Sequence, residues 1–429
     1  MVLLFEVKEL KLIEVLRGHP GEETKKTVRI RMAIVVVLAL VGIFFLWRGV
    51  SGWLNKVPGW VNVEQDRIEL ENGEKIYAYY GDIQVNMYYK DRSSQSANSS
   101  AIKTIVDDTL MSTHKLTDTT TSYTGINNLK YINEHPGEEI VLNEYLYNAL
   151  KESYQYSVDT SGLYNVFAGE TYDTWWQFMY GNAISYDEVL AKVEEINVCA
   201  NKQLQATDAL VFNDAKKSII FNNLDGCEDK ISLNLQGLRY SYAAEALKEA
   251  LQAGNYTFGY IYSADGISLT LGDQPQSTTW TSNILDPGYS SDVDISALAS
   301  TYLDGSFNCY SFDNMHLVNS VVTKDYVAHL LYSSLETEPG NQFHTIMIWS
   351  KTTRLQDLII ETMKVLYSDS ISEGSAELAS YTNSDIYGAL VYSNEADKIA
   401  TKDLTIAISK EAEEYTTINY IDVQKVILD

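Results

Sequence analysis

Three cysteines in 429 residues are too few for a disulfide-built scaffold, and none stands at the C-x-x-C spacing of a zinc or redox site. None lies near the apolar N-terminal run, which excludes a lipid-modified cysteine as anchor. Cys199 and Cys227 flank what reads as a hairpin; they pair only if the compartment is oxidising, and the sequence leaves that open. Six histidines give no H-E-x-x-H and no paired metal spacing. No serine occupies a G-x-S-x-G elbow, no Gly-rich phosphate loop of either common type occurs, and no fixed-period repeat is visible. Positive charge is scarce, with 32 Lys and Arg against 58 Asp and Glu. Residues 1–60 hold nine Lys/Arg and five Glu, so of the net −26, residues 61–429 carry −30. Such a surface repels phosphate backbones, and no basic, aromatic-interleaved patch relieves it, which argues against nucleic acid as a partner.

What is present is an ordinary globular balance, 45% hydrophobic and 21% charged, with length for a sizeable core. Met32 to Trp47 is an uninterrupted apolar run, and Arg48 can snorkel so that the run extends to Trp53. That is about 20 residues, enough to cross about 30 Å of hydrocarbon. Arg17, Lys25, Lys26, Arg29 and Arg31 crowd its N-terminal side, and acidic residues follow on the other. The positive-inside rule predicts a cytoplasmic leader (1–31), one transmembrane helix in the lipid bilayer (32–53), a linker (54–75) and an extracytoplasmic domain (76–429) of a bacterial cell-membrane protein. Trp47, Trp53 and Trp60 suit the outer interface. Val2 to Leu16 has apolar residues at helical spacing and suits a short helix on the membrane or on a partner.

Within the external part, Lys75 to Lys90 reads as strand interrupted at Gly81, followed by a polar loop from Ser93 to Ser100. Helices are predicted over 101–114, 143–156, 185–198, 240–253 and 353–367, the third with Ser185 and Glu188 at capping-box spacing. Asp208 to Leu235 alternates like a meander of short strands, and Gly259 to Leu271 reads as a hairpin turning at Asp265-Gly266. Strands are also predicted over 342–350, 404–409 and 417–423. Helices and strands mix without strict βαβ alternation, which predicts an α+β fold.

Several short motifs, in order, resemble those of the ApbE-type flavin transferases, the FAD:protein FMN transferase family. Ser161 to Trp176 is similar to G-x-F-[DN]-x-x-x-G-x-L-x-x-x-W, with Gly162, Asn165, Gly169 and Trp175 on the pattern and Tyr164 and Thr171 replacing Phe and Leu. Tyr80-Gly81-Asp82 before a strand looks like the family's M-G-T. Asn234 to Leu238 and Tyr242 to Glu245 resemble D-L-G-G-I-A-K-G-Y-A-x-D; Ala253-Gly254 through Leu271-Gly272 looks like the strand pair after it. His329-Leu330-Leu331 resembles the start of H-I-I-D-P-x-T-G, and Asp357 stands where D-A-L-A-T begins. The resemblance spans about residues 76–423. It implies an ApbE-like fold and a reaction that splits FAD and places FMN on a Ser or Thr of a partner flavoprotein. It further implies magnesium held by the Asp and Thr of the D-A-L-A-T helix and a backbone carbonyl of the G-I-A-K-G turn, hard ligands that suit that ion. Gly81, Asn165, Gly237, Arg239 and His329 become the candidate flavin-binding residues.

The departures fall in the turn: Asn234 for Asp, Gln236 for Gly, Arg239 for Ala, Tyr240 for Lys and Ser241 for Gly. Bulky side chains there clash with a bound pyrophosphate, and Arg239 sets a cation beside a metal. Tyr332 to Glu336 replaces D-P-x-T-G. Asp357 survives of the metal pair; Glu361 replaces Thr and, at i,i+4, is either a substitute oxygen ligand or part of a solvated helix face. No catalytic residue is assigned. Two readings follow: a degenerate transferase homologue kept as a structural or interaction subunit of a membrane complex, with no cofactor, or an active enzyme using FAD and magnesium. Tyr80, Trp175 and Trp176 suit either flavin stacking or the core. No D-x-x-[ST]-G-A-[ST]-like stretch marks the chain itself as a flavin acceptor. The topology has a direct check: external protease on intact cells digests residues 54–429 and spares a short membrane stub, whereas a protected large domain contradicts the orientation.

Overall fold

The computed structural model describes residues 35–37, 39, 59–66, 68–69, 75–76, 83–181, 184–235, 237–273, 275, 279–285, 297–313, 320–322, 327–329, 331–381, 384–393, 403–419 and 423–428. The chain divides into two compact units, residues 1–59 with 89–97, and residues 60–88 with 98–429. In the first, Val35–Val37 and Ala39 are helical, and the predicted membrane span otherwise lies outside the described residues, as does Val2 to Leu16. Among the described residues no helix is long and apolar enough to cross a membrane.

The second unit is built on a nine-stranded sheet whose spatial order is the chain order. Its strands are β1 (Trp60–Val63), β2 (Gln84–Tyr88), β3 (Gly259–Tyr262), β4 (Ile267–Thr270), β5 (Asn308–Asp313), β6 (Thr345–Ser350), β7 (Ile386–Ser393), β8 (Leu404–Ser409) and β9 (Gln424–Leu428). Neighbours are antiparallel, as in Val61↔Met87 and Ile348↔Gly388, until the last pair, where Ile406↔Lys425 is parallel. β1 lies inside the stretch read as linker, so the sheet begins before residue 76. The predicted β3–β4 hairpin turns at Gly266, φ 92°, where a Cβ would stand 1.9 Å from the Ser311 carbonyl oxygen; only glycine serves there.

Every residue of β6 and β8 is buried, because both faces of the sheet are covered. A three-stranded sheet (Thr279–Leu285, Ala297–Asp304, Thr416–Ile418) packs Trp280, Leu298 and Leu303 against Trp349, Ile406 and Ile408. The helices are α1 (Arg92–Thr117), α2 (Leu129–Glu134), α3 (Glu144–Asp159), α4 (Gly169–Gly181), α5 (Tyr186–Gln205), α6 (Leu238–Ala253), α7 (Leu355–Leu366) and α8 (Ile371–Ala379). α7 buries Leu355, Leu358, Ile359, Thr362, Met363 and Leu366 at i, i+3, i+4 spacing and packs on β5 and β6.

The mixed α+β class holds, and so do the five predicted helices, with the Ser185–Glu188 capping box in place on α5. Two further expectations are corrected. The polar stretch from Ser93 to Ser100 is helical, the opening of α1, because Asp91 caps it by accepting the Ser94 N–H at 2.7 Å. The predicted meander contains only two strands, Leu210–Asn213 and Ser218–Phe221, which join Glu139–Val141 in a small sheet; past Phe221 the chain runs in turns, broken only by a single bridge at Ser232. Those turns are stapled to α5 by a Cys199–Cys227 disulfide, Cα to Cα 5.7 Å, while Cys309 is free and buried.

Candidate functional site

Two of the motif segments zip together side by side. The Asn234 N–H donates to Val166 O at 3.0 Å, Ser232 N–H to Phe167 O at 3.2 Å, and Gly169 N–H to Ser232 O at 3.1 Å. The contact explains the motif glycine: a Cβ on Gly169 would lie 2.4 Å from Ser232 Oγ and 2.8 Å from its carbonyl oxygen. Asn133 holds the same segment from the other side, through both backbone groups of Leu233. The chain then turns at Gly237, the N-cap of α6, where a Cβ would approach Leu331 Cδ1 to 3.1 Å. Gln236 and Gly81 lie outside the described residues.

Arg239 follows in the first turn of α6, only 4% exposed. Its guanidinium donates to Tyr172 Oη at 3.2 Å and lies 5.7 Å from the Tyr172 ring centre and 5.6 Å from that of Tyr240. Burial pushes the Tyr172 phenol up to about 12, against the pull of Arg239. Burial, with Glu170 nearby, likewise raises Asp173 to about 6 although Arg239 works the other way. Ser241 is fully buried, its hydroxyl donating to Leu238 O at 2.7 Å. A further buried group, His114 with Tyr123 and Asp118, feels the Arg239 charge: Tyr123 Oη donates to Asp118 at 2.8 Å and stands 3.2 Å from His114 Nε2. Burial holds His114 down at about 4 despite Asp118.

Asn165 has a structural job. Its carboxamide oxygen accepts from Phe167 N–H at 3.0 Å and its nitrogen donates to Asn201 at 3.1 Å. Asn201 in turn donates to Ser334 O at 2.7 Å, and Tyr332 Oη donates to Ala168 O at 2.7 Å. The loop that replaces D-P-x-T-G is therefore pinned onto the motif segment by its own substituted side chains. His329, 1% exposed, is 3.1 Å through Nε2 from Gly340 O and edge-on to Phe312; burial depresses it to about 4, so it is neutral.

Asp357 and Glu361 share α7 but are engaged separately. Asp357 accepts from Tyr156 Oη of α3 at 2.6 Å; burial, helped by that hydrogen bond, drives the phenol far above its ordinary range. Glu361 is paired with Lys364 at 2.8 Å and accepts from Tyr381. Among the described residues no group of three or more His, Cys, Asp or Glu side chains is placed to share an ion. Magnesium needs several convergent hard oxygens. One phenol-bound carboxylate and one lysine-paired carboxylate, with a buried arginine in the turn, do not fit it. Trp175 is core at 1% exposure, and Trp176, at 40%, stacks obliquely on Tyr180; Tyr80 lies outside the described residues.

A model of the ApbE family matches residues 82–308. The chain belongs to the ApbE family. The ApbE protein of Thermotoga maritima superimposes with a TM-score of 0.57 at 14% identity, over 78% of this chain and 96% of that one. A flavin transferase ApbE of Vibrio cholerae gives 0.56 at 12%, over 78% and 96%. The Pseudomonas stutzeri flavinyl transferase ApbE gives 0.54 at 11%, over 84% and 97%. At such identities the likeness to these structures is one of fold. No curated protein matches the chain.

Sequence reasoning found Arg239 and Asp357 but not their phenol partners Tyr172 and Tyr156, nor the His114 group. Tyr172 was visible inside a motif; a lone histidine on a helix gave no signal. Burial lowers His344, and the two imidazoles it holds at about 4, His114 and His329, set an acid sensitivity in the same direction. Below their ordinary value of 6.5 the unfolded chain takes up protons that the fold refuses, so stability falls from about pH 6.5 to about pH 4, by about 3 kcal/mol per histidine over the full window. Asp173 works oppositely, gaining stability as pH falls from about 6 to 3.8. Two groups outweigh one, so the thermal midpoint drops between about pH 7 and about pH 5, and His329→Gln flattens that slope while lowering the midpoint at neutral pH. An unchanged slope in the variant contradicts the assignment.

Proposed function

We propose that this ApbE-family chain is a membrane-anchored, extracytoplasmic homologue that has lost metal-dependent flavin transfer and serves as a structural or interaction subunit, beside a flavoprotein or membrane-complex partner. The observation that carries the reading is the buried Arg239 guanidinium in the turn where the family resemblance calls for a small residue next to the metal. A guanidinium stays protonated at any physiological pH. It therefore opposes a divalent cation permanently, and the tyrosines around it fill space that a pyrophosphate needs. The Tyr156 and Lys364 contacts to Asp357 and Glu361 support the same conclusion. The basic leader and the Met32–Trp53 run support the anchor, and the Cys199–Cys227 bridge suits an oxidising compartment outside the cytoplasm.

The alternative is an active FAD:protein FMN transferase that attaches FMN to Ser or Thr of a partner; retention of Asp357 and of the fold around it favours that reading. Titrating FAD into the purified protein and following flavin fluorescence separates the two. The expected result is weak binding or none, indifferent to magnesium. Micromolar binding that tightens with magnesium overturns the proposal. Magnesium-independent binding that disappears in Arg239→Ala identifies a flavin-holding protein without the chemistry, since arginine can grip phosphate bidentately.

A further inference from the structure

Away from the flavin motifs, the small three-stranded sheet stops short of the large one it covers. Its outer strand, Thr279–Leu285, is paired along one edge with Ala297–Asp304. From Trp280 to Asn283 the other edge has no backbone partner among the described residues. Beside that edge lies an open groove of about 730 Å³. Side chains alternate between the two faces of a strand, yet Thr279 through Asn283 border the groove in unbroken succession. The groove therefore runs along the edge and meets the backbone itself. Its floor is the large sheet, where Tyr260 and Tyr262 of β3 lie beside Thr270 and Ser268 of β4. Trp60 of β1 stands 5.3 Å from Tyr260 and 5.6 Å from Trp280, ring centre to ring centre.

Neither the edge nor the groove is protected. An uncovered edge strand offers its N–H and C=O groups to any extended chain, and folded proteins blunt such edges with lysine, proline or a bulge. Thr279–Leu285 contains no charged residue and no proline, and its one irregularity, between Ile284 and Leu285, falls past the groove. None of the described residues that line the groove is charged, in a chain of net charge −26. A charged side chain brought there loses its water and meets no counter-charge, so the groove selects an uncharged occupant. The aromatic floor suits apolar side chains.

We propose that this edge takes a fourth strand from a partner protein, an uncharged extended segment whose backbone pairs with Trp280–Asn283. Its inward side chains are apolar and rest on Tyr260 and Tyr262; its outward ones continue the row of exposed Thr281 and Asn283. The added strand lies over the large sheet as the small sheet already does, and it covers the aromatic floor that the small sheet leaves open. A second copy of this chain is the poorer occupant, because two bodies of net charge −26 repel each other. The inference stands whether or not the flavin chemistry survives, because the groove contains none of the candidate flavin or metal residues.

Calorimetric titration of the full chain in detergent tests it, with acetyl-Gly-Thr-Val-Thr-Val-Thr-Gly-amide as the probe. The peptide saturates the protein. The same peptide methylated on every Val and Thr nitrogen, which cannot donate to a strand, binds at least about tenfold more weakly. Ser268→Trp, which fills the floor, and Tyr260→Ala, which removes part of it, each weaken the peptide by about tenfold. Tyr302→Ala, on an exposed side chain of the middle strand outside the groove, leaves the affinity unchanged. Should a floor variant fail to fold, the methylated peptide on the unaltered chain still decides. Absence of peptide binding overturns the proposal, as does equal binding of the methylated peptide. Binding of cellopentaose in place of the peptide overturns it in favour of a neutral-sugar groove. Sedimentation of a dimer that Ser268→Trp dissociates overturns it in favour of a second copy.

Discussion

A guanidinium buried at the first turn of a helix has to be paid for by its surroundings, and much of the candidate site is arranged accordingly. Taking a permanent cation out of water costs several kcal/mol unless hydrogen bonds and polarisable faces replace the solvent. Arg239 receives the Tyr172 hydroxyl and two aromatic faces, with Asp173 close enough for its titration to respond to the charge. Those partners stay in place because α4 starts at Gly169, where only a glycine permits backbone contact with Ser232. A substitution at either point disturbs both, so the arginine and the glycine form one unit.

The same logic extends to the loop after His329. Its Tyr332 and Ser334 both reach back across more than a hundred residues of sequence to hold the motif segment, at Ala168 O and Gly162 O. A loop pinned to Ala168 and Asn201 belongs to the framework. The two α7 acids tell a parallel story. In each, a tyrosine hydroxyl donates to the carboxylate.

Much of the scaffold was legible in local sequence. The Ser185–Glu188 cap, the Asp265-Gly266 turn and the apolar spacing of α7 each report an interaction complete within a few residues. The polar opening of α1 was missed because serine-rich stretches favour loops, and one Asp91 cap overrode that preference. At the site, the order of weak motifs exposed Arg239, Gly169 and Asp357. It could not reveal that Tyr156, 201 positions before Asp357, donates to it, nor that Gln356 has no hydrogen-bond partner among the described residues. Pairings over such separations exist only once the sheet has brought the helices together.

The proposed loss of magnesium-dependent chemistry at the Arg239 turn and the engaged acids has a direct measurement. Incubating the purified full chain with FAD and magnesium, and separating FMN and AMP by chromatography, measures that directly. No release above the rate without protein is the expected result. Magnesium-dependent release of FMN and AMP that is abolished by Asp357→Ala and weakened by Glu361→Ala would contradict the account.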